Sequence, residues 1–347
     1  MSTLITGRVV RLRGYSVRFD PRALAVAVGL VVALAVVSVF SLGTGDFALS
    51  PGAVIDSLVG DGTPIADFIV QTIRLPRLLT AVLVGGALGA SGAILQRLSG
   101  NPLGSPDIIG FTYGSATGAL IMITVVHGSM MAIAGGALVG GLATAVLIYA
   151  LAFGRGGVAS RFVLVGIGVG AMLLSANSYL ITRASWQDAL AAQAWLFGTL
   201  NGRGWQQVIL IGVAIAVLFP IAGYFARKLA LLDLGDDMAR ALGVGVDWAR
   251  FALIVTSVAL AAFATAATGP IWFVALAAPQ LAHRLARGGG PGMMTSAWMG
   301  ALLLALSDLG VQRLFPDTQL PVGTATGVLG GLYLIWFLAT RRREGRA

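Results

Sequence analysis

Apolar residues come in long unbroken runs along this chain. From ALAVAVGLVVALAVVSVFSL at 23–42 onward, stretches close to the roughly 20 residues that a helix needs to cross a bilayer recur to the C-terminal end. A helix half-exposed to water would show polar residues every third or fourth position; these runs stay apolar all round, as helices in lipid do. Ten spans are predicted, at about 23–42, 78–98, 108–126, 130–153, 162–182, 206–225, 250–268, 270–286, 296–315 and 322–340. The stretch 251–283 is too long for one crossing. Gly269-Pro270 divides it, because proline has no amide hydrogen and disfavours helix in the residue before it. The first run follows arginines, as a signal peptide's would, but it is long for one and no small-residue cleavage site follows, so it reads as an uncleaved span.

Between the runs lie three kinds of polar interruption. SPGAVIDSL at 50–58 and WQDALAAQAWLFGTLNGRGW at 186–205 are too short or too polar to cross and read as outer-surface helices, the second anchored by Trp186, Trp195 and Trp205. QRLSGNPLGSPDIIG at 96–110 is a turn, with Pro102 and Pro106 preventing helix continuation and Asn101 able to cap backbone groups. The longest, ARKLALLDLGDDMARALGVGVDWAR at 226–250, sets leucines at helical spacing among Asp233, Asp236, Asp237, Arg240 and Asp247. Asp236 or Asp237 suits the first turn of a short helix and Gly243 its C-terminal cap. The pattern fits a connector as well as a docking element.

Composition settles the class. With 57% hydrophobic and 11% charged residues among 347, and a mean hydropathy of +0.89, this is an all-α polytopic membrane protein. A net charge of +9 would suit nucleic acid if the cations were clustered, but they are parcelled out between the spans. That parcelling orients the chain: both tails, 1–22 and 341–347, are arginine-rich and predicted cytoplasmic around a permease domain at 23–340. In this arrangement Arg97, Arg155, Arg161, Arg227, Lys228, Arg240, Arg250, Arg284 and Arg287 also lie inside, and only Arg74, Arg77, Arg183, Arg203 and Arg313 outside. Cysteine is absent, so disulfides and thiolate metal sites are excluded. Glycine pairs such as Gly85/Gly89, Gly136/Gly140 and Gly166/Gly170 let helices approach closely.

The stretch QTIRLPRLLTAVLVGGALGASGAILQRLSGNPLGSPDIIGFTYGSATGAL, 71–120, resembles the signature of permease subunits of ATP-binding-cassette importers for iron siderophores, haem and cobalamin. LLDLGDDMARALGV (231–244), GPIWFVALAAPQLAHRL (269–285) and LPVGTATGVLGGLYLIWFL (320–338) match the same family in order and spacing. The resemblance implies a plasma-membrane importer with two permease subunits, identical or homologous, two ATPase subunits and an external binding protein that delivers a ferric siderophore. It implies docking of that protein at Arg74, Arg77 and Arg313, whose guanidinium forks suit carboxylates; snorkelling to the interface is the alternative for each. It makes 226–250 the ATPase-coupling segment, carried by Leu234, Gly235, Asp236, Ala239, Arg240, Leu242 and Gly243. ATP and Mg would sit on the partners, and no cofactor is expected on this chain, whose one lysine, Lys228, lies in no phosphate-binding loop.

Gln96, Asn101, Pro102 and Leu103 are candidates for the pathway or gate. So is Asp308, an acid inside a predicted span, although a hydrogen-bonded helix contact is the favoured role. The chain departs from the family pattern at Trp272, Ala275 and Gln280, the last replacing a frequent histidine. His283 is expected at the inner interface. APQLA resembles permeases for catecholate siderophores, while haem or cobalamin cargo stays open. An ion-coupled secondary transporter would need more intramembrane ionisable groups than one aspartate. An intramembrane enzyme would need a constellation that His127 and His283 do not form.

Overall fold

A computed structural model describes residues 8–12, 15–19, 21–45, 47–152, 158–286, 292–315, 318 and 320–344, with backbone alone for 8–12, 15–19, 158–160, 337–338 and 340–344. Arg155, Arg287 and the end of the C-terminal tail therefore lie outside the described residues.

The N-terminal tail departs from the all-helical expectation. Strands β1 (Arg8–Leu12) and β2 (Tyr15–Phe19) pair antiparallel, with Val10 opposite Val17 and Leu12 opposite Tyr15. The adjacent valines of RVVRL and the alternating Tyr15, Val17 and Phe19 of YSVRF favour strand over helix. Everything after it is helical.

Helix α1 (Pro21–Gly43) leads to short α2 (Pro51–Val59), capped by the Ser50 hydroxyl, and α3 (Pro64–Asp67). From α3 the chain runs without a break through a π-helical stretch, Phe68–Arg74, into α4 (Leu75–Ser99). Then come α5 (Phe111–Thr124), α6 (Met130–Ala152), α7 (Val158–Arg183), α8 (Trp186–Leu196) and α9 (Trp205–Leu232). Helices α10 (Asp236–Ala241), α11 (Val246–Thr268), α12 (Val274–Ala286), α13 (Met293–Leu314) and α14 (Val322–Glu344) complete the chain.

Among the described residues seven helices are long and apolar enough to cross a membrane: α1, the continuous 64–99, α6, the 161–183 part of α7, α9, α11 and α13. Two predicted spans come out shorter, with 14 residues in α5 and 13 in α12, while α14 (Val322–Glu344) covers the whole of the last predicted span. The physical reason for the shortening is local. Pro102, Pro106 and Gly110 keep 101–110 out of helix before α5, and the Gly269-Pro270 break is followed by non-helical chain to Phe273 before α12. These two segments meet: the Phe273 amide donates to Asp107 Oδ2 at 3.3 Å, and the Tyr113 and Trp272 rings pack 5.5 Å apart.

The segment 186–205 is not one surface helix either. α8 ends at Leu196, a turn follows, and Trp205 opens α9. Trp186 is exposed as an interface anchor would be, whereas Trp195 packs inward against Leu120, Ile123 and Ala192. At the other end α9 continues through Arg227 and Lys228 to Leu232, so the inner connection is shorter than predicted.

α4 is the axis of the bundle. Its most apolar window is 83% buried inside the protein, against 11% for α1 and 22% for α7 and α9, which turn their apolar faces outward. It packs on α13, α11, α12 and α9. Glycines permit this: a Cβ on Gly92 would fall 1.7 Å from the Ala275 carbonyl of α12, and one on Gly89 2.1 Å from the Ser296 carbonyl of α13. The Ala275 carbonyl lies four residues before Pro279, which has no amide to offer it, so Gly92 covers an acceptor the helix itself leaves free. Gly136 and Gly140 likewise meet Gly118 and Gly114 of α5, and Gly166 meets the Ile109 carbonyl. The small-residue pairs are packing seams within this chain.

Candidate functional site

The predicted site residues fall at the two ends of α4 and at the connection that follows α9. At the N-terminal end of α4 the geometry begins with a carbonyl. The Leu75 amide bonds to Val70, in π-helical register, and the next residue, Pro76, has no amide, so neither register offers a donor to the Gln71 carbonyl. The Trp205 indole donates to it instead, at 3.1 Å, and the Gln71 side chain donates to the Ser57 carbonyl at 2.6 Å. Those bonds fix the head of α4 against α9 and α2.

Arg74 and Arg77 flank that proline. Arg74 donates to the Leu42 and Phe47 carbonyls at 2.7 and 2.5 Å, holding the loop after α1. Arg77 forks onto Asp308 of α13, with Nε 3.0 Å from Oδ2 and Nη2 2.7 Å from Oδ1, while the Gln312 amide donates to Oδ2 at 2.8 Å. Asp308 is only 2% exposed. A carboxylate at that depth requires such partners, and here it joins two helices. Arg313 donates to the Thr44 hydroxyl at 3.1 and 2.9 Å. The three arginines, Arg74 at the end of the π-helical stretch, Arg77 of α4 and Arg313 of α13, line one cavity of about 740 Å³ with Thr44, Asn201 and Gln312.

At the C-terminal end of α4, Arg97 in the last turn pairs with Asp233 at the foot of α9, 2.5 Å away. Arg250 near the start of α11 forks onto Asp236 in the first turn of α10, at 2.7 and 3.2 Å. Hydrogen bonding to Arg250 holds the Asp236 carboxyl below the usual carboxylate range, against the opposing effect of burial. Gly235 and Gly243, at φ +96° and +82°, bracket α10, and the Gly243 and Val244 amides close its end on the Arg240 and Ala239 carbonyls. Ala239 turns into the core. Leu234, Arg240 and Leu242 face outward, as do Asp237, Met238 and Trp248, which the sequence reading did not select. The signal was present, since 234, 238 and 242 repeat at helical spacing.

The pathway candidates separate. Gln96 is buried between α4 and α12, donating to the Leu276 carbonyl at 3.0 Å and accepting from Gln280 at 2.6 Å. Its amide partner occupies the position where the family often has histidine. Asn101 caps a turn by accepting from the Leu103 amide at 2.9 Å, and Leu103 is exposed beside Pro102. His283 is exposed near the end of α12. Asp107 was missed. Standing just before the predicted span, it is buried, accepts from the Thr112 hydroxyl at 2.9 Å and from Phe273, and lines an apolar cavity of about 520 Å³ with Tyr113, Trp272 and the middle of α7. Phe273 takes φ +69°, a strained region for a side-chain-bearing residue. Among the described residues no cluster of three or more His, Cys, Asp or Glu could hold a metal ion.

Similarity to known proteins agrees with this arrangement. Residues 33–340 match the model of the FecCD transport family. The chain is 41% identical to the ferric enterobactin transport system permease protein FepG of Escherichia coli (strain K12), over 93% of this chain and 98% of that one. It is 36% identical to the Fe(3+)-citrate import system permease protein YfmE of Bacillus subtilis (strain 168), over 94% and 98%. A solved structure described as an inward-facing conformation of a metal-chelate type ABC transporter superposes with a TM-score of 0.82 at 27% identity, covering 91% of this chain and 99% of that one. The chain belongs to the FecCD transport family.

Proposed function

We propose that this chain is the membrane permease of an ATP-driven importer whose cargo is a ferric siderophore, brought to its outer face by a separate binding protein. The observation that carries the proposal is the near full-length match to permeases of iron-chelate import systems, joined to a sequence with no phosphate-binding loop of its own. Ten crossings with both tails in the cytoplasm put the arginine cavity outside and α10 inside. α5 and α12, too short to cross alone, complete their crossings through the proline-containing segments that meet at Asp107 and Phe273; irregular backbone is tolerated at membrane depth where it is buried in protein.

In this reading Arg74, Arg77 and Arg313 receive carboxylates of the binding protein at one cavity. α10, with Leu234, Met238 and Leu242 outward, seats in an ATPase subunit, and two ATPases serve two permeases. Pro102 and Leu103 lie where the pathway would meet the cytoplasm, and the cavity beside Asp107 is its candidate wall.

The test uses inside-out and right-side-out vesicles carrying the permease with its ATPases. Arg74→Glu with Arg77→Glu should weaken binding of the binding protein to right-side-out vesicles while ATPase subunits still co-purify. Normal binding by the double variant would remove the docking role. Uptake of ferric enterobactin and ferric citrate, tried side by side, decides the cargo.

A further inference from the structure

The cavity beside Asp107 is walled by two rings that neither docking nor ATPase coupling uses. Tyr113 comes from the first turn of α5 and Trp272 from the non-helical link before α12, with ring centroids 5.5 Å apart and planes tilted by 53°. Asp107 holds both from behind. Its Oδ1 accepts from the hydroxyl of Thr112, the residue before Tyr113, and its Oδ2 from the amide of Phe273, the residue after Trp272. The Asn177 side chain, buried in α7, donates to the Tyr113 carbonyl at 3.3 Å. Those bonds offset the cost of the positive φ at Phe273, so the ring pair is positioned before anything binds.

Small residues keep the space in front of the rings open. α7 contributes Gly170 and Ala171 to the same wall, and a Cβ on Gly170 would already stand 3.4 Å from the Tyr113 ring. Ile167 and Leu174, also in the lining, are exposed, so the cavity opens to the outside of the chain along α7. Its volume of about 520 Å³ falls within the range of about 300–1,000 Å³ usual for small-molecule sites. The chemistry of the wall narrows the occupant. Aromatic rings gain from tilted or offset contact with other rings beyond the area they bury, a gain that an aliphatic chain or an aliphatic chelate does not share. A free carboxylate would lose water and approach the Asp107 charge.

We infer that this cavity binds an aromatic arm of the cargo, one planar ring lodging against Tyr113 and Trp272 while the iron and its ligating oxygens stay outside. The inference rests on the importer reading above and adds the class of chelate, an aryl-bearing siderophore, with Tyr113 and Trp272 setting the preference.

The test measures equilibrium binding of radioactive iron carried by enterobactin, whose arms are dihydroxybenzoyl rings, or by citrate, which has none. The permease with its ATPases is held in lipid nanodiscs without binding protein. Trp272→Leu and Tyr113→Leu fill space but remove a ring, and each should weaken ferric enterobactin binding by about three- to tenfold. Trp272→Phe and Tyr113→Phe keep a ring and should stay within about twofold of the parent. Iron-free dihydroxybenzoylglycine should compete with the ferric chelate. Equal binding by the leucine and phenylalanine variants overturns the inference and leaves the cavity to an acyl chain. So does failure of the free arm to compete, or an equal loss for ferric citrate. If ATP-driven uptake is intact when any of these occurs, the importer reading survives without the ring site; absence of ATP-driven uptake in the parent removes that reading and the inference with it.

Discussion

Arg77 and Asp308 show how one ion pair can serve two purposes. Their fork joins α4 to α13 where the carboxylate is almost fully buried, so loss of either partner strands the other. Arg77→Ala, which leaves the buried carboxylate without its cation, is expected to destabilise the permease by about 3–5 kcal/mol, read as a lower unfolding temperature in detergent, with Asp308→Ala milder because the Arg77 side chain left behind is 23% exposed. Arg313 is bonded to a hydroxyl, so Arg313→Ala should weaken binding-protein docking with little change in that temperature. Asp236 gives a pH dependence. Its pairing with Arg250 lowers its pKa on folding, so the unfolded chain takes up the proton first as pH falls. The contribution is complete above about pH 4, the ordinary carboxylate value, and is lost as pH drops through the lower folded value. Hydrogen exchange in α10 should therefore speed up on acidification below that point, and Arg250→Gln should remove most of the difference. The pair is partly exposed, so the effect is modest.

At the scale of elements, the seam between α4 and its neighbours rests on glycine. Gly92→Ala would drive a methyl into the Ala275 carbonyl and should cost at least about 1–3 kcal/mol, visible as a lower yield of folded protein or a lower unfolding temperature, whereas Gly212→Ala in α9 has room and should be near neutral. Much of this architecture is legible in the residues. Runs of apolar side chains announced the long helices, and Gly269-Pro270 announced the break before α12. Other parts were hidden for identifiable reasons. Asp107 reads as a turn residue because its acceptors are satisfied by Thr112 and by Phe273, 166 positions away, a pairing no local pattern reveals. Gln96 reads as a polar residue on a transmembrane face, and only packing against α12 shows that its partner is Gln280. Trp195 looks like an interface anchor because tryptophans usually are, until α5 and α6 close over it. The N-terminal strands were obscured by their arginines, which spoke to topology and masked the alternation beneath.

For the whole molecule, two arginine-lined ends and one enclosed axis suggest how force passes. In the proposed importer a binding protein at the arginine cavity would bear on Arg74, Arg77 and Arg313 around the head of α4, and an ATPase at α10 would bear on the foot of α4 through Asp233–Arg97 and on α11 through Asp236–Arg250. Leu234→Asp with Leu242→Asp should abolish ATPase co-purification while leaving the bundle intact, since both side chains are exposed. If a separate ATPase drives passage through this chain, ferric siderophore supplied on its binding protein should enter right-side-out vesicles that hold the permease, its ATPases and ATP, with an ionophore present to collapse ion gradients. Uptake should persist with ionophore and stop when the ATPase subunits are omitted; uptake that stops with ionophore and persists without those subunits would overturn the ATP-driven reading.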